Sequence, residues 1–470
     1  MTRPGFGNDK SLFGLFLLEC LLVLSTFLLI PQLHLSSLDG AALAGGSSLG
    51  GFGGFSLEDL APAVAAMLVI VTILYSMGLY AWRHITSPYQ LVSRLLVGFL
   101  VSAPLLAVGY YLNLRSDALA PVFVGAAGVS FGMILIARLL FHSLLGQEAF
   151  KRRIIVIGAG GMAARIATLA RQGAGGFRCA GFIPVEGEKI EIPSEQHLTQ
   201  GDLLQTVHDK SIDEIIIALE DRRNRLPLEC LVDCRLEGVM VSDYQSFCER
   251  EVGRVDLETL TPSWFFFRSG FRNSVQQKLL KRAVDIAAAL SLAVFLFPVM
   301  ALVALALMVT RDGPILYRQE RVGLKGKVFT LIKFRSMCED AEEAGKPQWT
   351  CVNDDRVTPL GALIRKTRLD ELPQLFNILK GDMSLVGPRP ERPQFVEQLK
   401  ARLPYYDERH RVKPGITGWA QVTFKYAGSL EDSKVKLEHD LYYIKYYSLF
   451  LDLIIILQTV RVVLWSEGAR

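Results

Sequence analysis

The sequence predicts a membrane α plus α/β chain: four transmembrane helices over 1–145, a degenerate Rossmann-like domain over 146–272, and a monotopic domain over 273–470 with a re-entrant membrane helix over about 279–310, broken at Pro298. Three observations carry this. Half of the 470 residues are hydrophobic and only 21% are charged, with mean hydropathy +0.30, which is too apolar for an ordinary soluble chain. Four apolar runs precede residue 145, and a strand, glycine turn and helix pattern starts at Arg153. The same composition excludes intrinsic disorder. A formal charge of +4, from 51 basic and 47 acidic residues and with no basic patch interleaved with aromatics, leaves no case for nucleic acid. Seven cysteines without CxxC spacing read as reduced and facing the cytosol.

The first run, Leu12 to Ile30, carries one charge, Glu19, and ends at Pro31. Its apolar stretch is longer than that of a cleaved signal peptide, so it reads as a retained helix. Runs at about Leu60–Trp82, Leu91–Tyr111 and Ala118–Phe141 follow, each near the ~20 residues that span a bilayer. Arg3 and Lys10, then Arg83 and Arg94, then Lys151, Arg152 and Arg153 mark cytoplasmic ends, while the other two loops hold only Arg115. Both ends of the bundle therefore face the cytosol, and the glycine-rich 40–54 loop lies outside. Glu19 has two readings, a proton-relay or transport group and a helix-packing group.

From Arg153 the chain runs Ile-Ile-Val-Ile-Gly158-Ala-Gly160-Gly161-Met-Ala163, a buried strand and a dinucleotide-type turn. Further strands are expected at Cys179–Ile183, Glu214–Leu219 and Val239–Ser242, with helices between them. Ala163 stands where the fingerprint has its third glycine, and no clean ribose-binding acid follows the second strand. Ligand binding and a degenerate scaffold role are both open.

Ile286 to Val309 is long enough to span, but Lys278, Lys281 and Arg282 precede it and Arg311, Arg318 and Arg321 follow, a cytoplasmic signature at both ends. Pro298 sits near its middle, where it removes a backbone hydrogen bond. A helix that enters the inner leaflet, turns near Pro298 and returns satisfies both facts, with a plain fifth span as the alternative.

Lys333 and Arg335 are two apart in a β-prone run and share a face if both lie on one strand, which suits phosphate oxygens or lipid headgroups. In Ile364-Arg365-Lys366-Thr-Arg368-Leu-Asp370-Glu371-Leu-Pro373, adjacent carboxylates stand among three cations. Pro373 is expected to push Leu372 out of the helical region and to start a helix that Gly381 stops, placing Asp370 and Glu371 just ahead of its N-terminus. If the helix runs through instead, Lys366 with Asp370 and Arg368 with Glu371 form surface pairs. Arg389 lies between two prolines, a rigid fork suited to phosphate.

Arg318-Gln-Glu-Arg-Val-Gly, Lys333-Phe-Arg-Ser-Met, Leu369-Asp-Glu-Leu-Pro-Gln-Leu-Phe-Asn, Leu385-Val-Gly-Pro-Arg-Pro and Pro414-Gly-Ile-Thr-Gly-Trp-Ala-Gln, in this order, resemble the bacterial sugar transferase family, the polyprenyl-phosphate glycosyl-1-phosphate transferases. The resemblance covers about 275–465, and the preceding domains resemble its large members, undecaprenyl-phosphate glucose or galactose phosphotransferases that prime exopolysaccharide or O-antigen synthesis. It implies that Asp370 is a nucleophile attacking the β-phosphate of a UDP-sugar with release of UMP. Glu371 then assists proton transfer as undecaprenyl phosphate attacks the phosphosugar intermediate. It also implies Mg2+ at Asp370, a phosphate-binding Arg365, substrate contacts by Lys333, Arg335 and Arg389, and a catalytic face on the cytoplasmic side of the bacterial inner membrane. Phe297 before Pro298 and Arg368 depart from the common family pattern, where serine is frequent. A membrane-anchored nucleotide-sugar dehydratase or epimerase would need a Tyr-x-x-x-Lys pair, which the sequence lacks, and a non-catalytic scaffold is the third reading. Leu449 to Trp465, with a stripe of Ser448, Asp452 and Thr459, reads as an interfacial helix or a short span. The two large amino-terminal domains leave room for a homodimer.

Overall fold

The computed structural model describes residues 10–42, 57–76, 79, 88–112, 120–145, 151–172, 176–198, 203–221, 226–267, 274–310, 313–338, 356–424 and 429–464. Arg3, the 43–54 part of the glycine-rich loop, Arg83, Arg115, Arg311 and Trp465 lie outside them. The chain is mostly helical with some parallel sheet, and forms two compact units, Met1–Glu251 and Val252–Arg470.

The first unit opens with α1 (Lys10–Ala42), α2 (Leu57–Ser76), α3 (Pro88–Leu112) and α4 (Ala120–Leu145). Within α4, Val124–Phe141 is long and apolar enough to cross a membrane, whereas α1, α2 and α3 contribute the shorter apolar stretches Gly14–Ile30, Leu60–Tyr75 and Arg94–Ala103. The buried acid of α1 has a partner: Glu19, fully buried, accepts from Arg138 Nη2 of α4 at 2.8 Å and pairs with its Nε at 2.7 Å, and Arg138 also donates to the carbonyl of Leu79 at 2.6 Å. Thr26 and Ser130 meet between the same two helices at 2.5 Å. A charge pair joining helices is the packing role for Glu19. Glu19→Leu removes the carboxylate paired with the buried Arg138 charge, and the expected cost is about 3 kcal/mol, read as a lower melting temperature in detergent.

Beyond the helices, β1 (Arg152–Ile157), α5 (Gly161–Arg171), β2 (Phe177–Ile183), α6 (Leu203–Lys210), β3 (Glu214–Ile217), α7 (Leu228–Leu236), β4 (Met240–Asp243) and α8 (Tyr244–Val252) follow. The strands form one parallel sheet in the order β2-β1-β3-β4. Alternation along β1 sends Ile154 and Val156 to one core layer and Ile155 and Ile157 to the other, so the strand reads as an unbroken apolar run. Gly158 has φ +122°, and a Cβ there would come within 2.6 Å of the Ala218 carbonyl oxygen, so the turn requires glycine. At this turn the Glu188 carboxylate accepts from the Ala159 N–H at 2.8 Å and lies where a Cβ on Gly160 would clash at 2.6 Å.

The second unit contains α9 (Ser263–Phe267), α10 (Val275–Thr310), β5 (Leu316–Val322), β6 (Val328–Phe334), α11 (Pro359–Lys366), α12 (Gln374–Lys380), β7 (Ser384–Val386), α13 (Pro393–Arg402), β8 (Gly415–Thr417), α14 (Trp419–Thr423), α15 (Leu430–Lys445) and α16 (Leu449–Leu464). Strands β5 and β6 pair antiparallel, and β7 and β8 pair parallel. Val255, Leu257, Leu260 and Trp264 sit in its core with Leu437, Leu441 and Tyr443 of α15.

Helix α10 corrects one expectation. It is helical without interruption from Val275 to Thr310, with Pro298 inside it, rather than broken there. A proline removes one hydrogen bond and crowds one carbonyl, which kinks a helix more readily than it ends one of this length. Both halves of α10 are held by the same unit. Ala289 packs with Leu331 and Ile378, while Met300, Val303 and Leu307 pack with Phe334 and Ile364. Between them Val294, Phe295, Phe297 and Val299 are exposed.

Candidate active site

The foot of α10 sets the frame. Lys281 donates to Asp452 at 2.6 Å and to the Val386 carbonyl at 3.2 Å, Asp285 accepts from the Leu385 N–H at 3.2 Å, and Arg282 caps α12 through the Ile378 and Leu379 carbonyls at 2.6 and 2.9 Å. Buried polar groups of a membrane-type helix thus fix the end of α12 and strand β7, which leads into Gly387-Pro388-Arg389.

Thr358 caps α11 by accepting from Gly361, with Pro359 at the first helical position, and the helix ends at Lys366. Arg368 then takes a left-handed conformation, φ +59°, and reverses the chain into a 3₁₀ turn over Leu369–Glu371. Leu372 corrects the sequence reading: it lies in the helical region, φ −55° and ψ −37°, although Pro373 follows. Successive i→i+3 bonds, Leu372 to Leu369 at 3.3 Å and Leu375 to Leu372 at 3.1 Å, carry the chain through, and they outweigh the preference that proline imposes on its predecessor. The stop at Gly381, φ +104°, is as expected. Asp370 and Glu371 stand directly ahead of α12, and both are buried, each 8% exposed.

Their surroundings split the pair. Glu371 accepts from Arg389 at 2.9 Å and lies 3.6 Å from Arg368. Burial pushes its carboxyl up, but the guanidinium charges of Arg389 and Arg368 outweigh that and hold it below the usual range. The carboxylate of Asp370 makes no hydrogen bond or ion pair with the described residues. Burial and the neighbouring Glu371 charge push it up to about 6, against the pull of Lys333, Arg389 and Arg368. One carboxylate is therefore bound and anionic, and its neighbour is unbound. The Lys366 pairing that a continuous helix would give is not made, whereas Arg368 does reach Glu371.

Lys333, at the end of β6, sits opposite Tyr317 of β5, with its amine 5.0 Å above the ring. Burial and the Arg321 charge lower it to about 8, opposed by Asp370. Arg365 lies half-buried in the last turn of α11, and its guanidinium makes no hydrogen bond or ion pair with the described residues. Arg335 lies one residue past the end of β6, and its N–H bonds the Ile315 carbonyl, continuing the pairing with the chain ahead of β5. Its buried guanidinium donates to the carbonyls of Pro314 and Leu307 and to the Thr310 hydroxyl at 3.3, 3.2 and 3.1 Å, closing the end of α10. These bonds tie Arg335 to the end of α10, and among the described residues neither carboxylate is one of its partners.

Arg321 joins the site, although the sequence singled it out only as a flanking charge and as part of its motif. It donates to the Pro390 carbonyl at 3.0 Å, and burial lowers it to about 10. Tyr317, Gln319 and Arg321 alternate along β5, so the period-two pattern opposite Lys333 was the available signal.

Among the described residues no group of three or more His, Cys, Asp or Glu could hold a metal. Asp370 nevertheless fits magnesium, which takes one or two carboxylates together with substrate phosphates. Its carboxylate oxygens accept from no donor among the described residues.

Residues 276–466 match the profile of a family described as Bacterial sugar transferase. The chain is 42% identical over 240 residues to a UDP-N-acetylgalactosamine-undecaprenyl-phosphate N-acetylgalactosaminephosphotransferase of Aeromonas hydrophila, 51% of this chain and 56% of that one. It is 33% identical over 343 residues to an undecaprenyl-phosphate glucose phosphotransferase of Komagataeibacter xylinus, 70% of this chain and 62% of that one. An uncharacterized sugar transferase of Bacillus subtilis is 45% identical over 197 residues, 41% of this chain and 91% of that one. The matched region thus spans between half and two thirds of the first two relatives and nearly all of the third.

Proposed function

The chain belongs to the bacterial sugar transferase family, and from that membership and the site we propose that it transfers a hexose-1-phosphate from a UDP-sugar to undecaprenyl phosphate, initiating glycan synthesis. The observation that carries the reading is the split pair: an unbound carboxylate, Asp370, beside an anionic Glu371 held by Arg389, within a ring of cations. Asp370 attacks the donor's β-phosphorus, the P–O bond to UMP breaks, and the sugar phosphate remains as an acyl phosphate on the carboxylate. A phosphate oxygen of undecaprenyl phosphate then attacks the same phosphorus, freeing Asp370, with Glu371 placed to accept any proton the acceptor carries. Lys333 and Arg365 supply charge for the diphosphate. Magnesium, held by Asp370 and the donor's diphosphate, would neutralise charge on the phosphates.

The reading includes four amino-terminal spans, a Rossmann-like middle domain and a catalytic face on the cytoplasmic side of the inner membrane. The exposed apolar middle of α10, and the return of both its halves to one unit, support a re-entrant helix. UMP release by the detergent-purified chain, with magnesium, undecaprenyl phosphate and a panel of UDP-hexoses, tests the function and identifies the sugar. Release is expected with one donor class and is expected to stop in excess EDTA. A folded chain inert with every donor sinks the reading.

Lys333 sets a limit in pH. A group lowered to about 8 loses its proton as pH rises through that value, and the site then loses a phosphate-binding charge. The KM for the UDP-sugar is expected to rise above about pH 8. In Lys333→Arg, which stays charged, that limb moves to higher pH. An unchanged limb in the variant would remove Lys333 from the donor site.

A further inference from the structure

We propose that Arg409, paired with Asp440, is a positioning residue: it fixes the backbone of Arg389 and so aims the guanidinium that holds Glu371. The inference rests on the transferase reading of that site. Pro388 and Pro390 flank Arg389, and a proline has no N–H, so this stretch is tethered mainly through its carbonyls. All three carbonyls are taken. Pro388 accepts from the Gly415 N–H at 3.0 Å, Arg389 from Arg409 Nη2 at 2.9 Å, and Pro390 from Arg321 at 3.0 Å. Arg409 is itself immobilised, donating to Asp440 Oδ2 through Nε and Nη2 at 3.2 and 2.9 Å and to the Tyr406 hydroxyl at 2.6 Å. Its side chain and that of Asp440 are 5% and 3% exposed.

A buried ion pair is a weak source of stability, because the cost of desolvating both charges offsets their attraction. Spending one on the carbonyl of the residue that grips Glu371 makes sense as geometry. The chain of contacts is Asp440 to Arg409, Arg409 to the Arg389 carbonyl, and the Arg389 guanidinium to Glu371. Nothing in the sequence marks it, since Arg409 sits in the ordinary charged run Glu408-Arg409-His410-Arg411.

The test is a double-mutant cycle. Arg409→Lys keeps a charge for Asp440 but gives up the fork that reaches both Asp440 and the Arg389 carbonyl. Expected is a loss of about tenfold in kcat in the wild-type background and less than about twofold when Arg389→Gln is already present, because the two act through one contact. Tyr406→Phe removes a different bond of the same guanidinium and is expected to lower the melting temperature with kcat within about twofold. Asp440→Asn serves as the second route to the same non-additivity if Arg409→Lys does not fold. Equal losses in both backgrounds, or a Tyr406→Phe loss matching that of Arg409→Lys, overturn the proposal. If the wild type releases no UMP, the transferase reading falls, and the same cycle on melting temperature decides the coupling of Arg409 to Arg389: additive changes overturn it.

Discussion

Asp370→Asn is expected to lower UMP release at least about 10⁴-fold without lowering the melting temperature. The amide matches the carboxylate in shape but cannot attack phosphorus. Asp370 gives up no hydrogen bond among the described residues, so the substitution breaks no contact in the fold. Burial and the Glu371 charge raise its pKa, which means that at neutral pH the ionised form sits in an unfavourable place. Removing that charge therefore leaves stability equal or higher, the pattern of a group kept for chemistry at a cost to the fold. A variant that retained a tenth of wild-type activity would exclude Asp370 as nucleophile.

Arg389→Gln is expected to cost about 10²- to 10³-fold in kcat/KM, the scale of losing one preorganised charge donor. The guanidinium holds Glu371 at 2.9 Å, and its removal leaves that buried carboxylate with Arg368 alone of these two, at the longer distance of 3.6 Å. Burial then dominates, and Glu371 moves up from its lowered position. Arg335→Gln provides the contrast. Its bonds run to the end of α10, so melting temperature falls while kcat/KM of the folded fraction stays within about threefold. Similar kcat/KM losses for the two arginines would contradict the geometry that separates them.

The sequence carried what local chemistry dictates. The run Ile154–Ile157 needs two covered faces, Gly158 needs a positive φ, and Asp370 and Glu371 precede a helix that Gly381 stops. It failed where tertiary contacts override local preference. Leu372 stays helical before Pro373 because the 3₁₀ turn and α12 bond through it, and α10 stays helical across Pro298. Arg335 follows Lys333 by two positions, but its guanidinium bonds the end of α10, contacts that spacing alone does not show. Arg409 was silent because its role depends on meeting a carbonyl twenty positions away in the chain. Glu19 was legible as an anomaly, with Arg138 the one other charge in the spans' apolar runs besides Arg94, and the fold shows that Glu19 and Arg138 pair.

Mass spectrometry of the purified chain after incubation with its UDP-sugar and magnesium, without acceptor and quenched in acid, tests the central claim most directly. Release of about one UMP per chain is expected, with a mass gain of one sugar phosphate that fragmentation localises to Asp370 and that is absent from Asp370→Asn. Product formed with both substrates present, but no UMP released and no mass gained without the acceptor, would mean direct transfer between substrates and would contradict it.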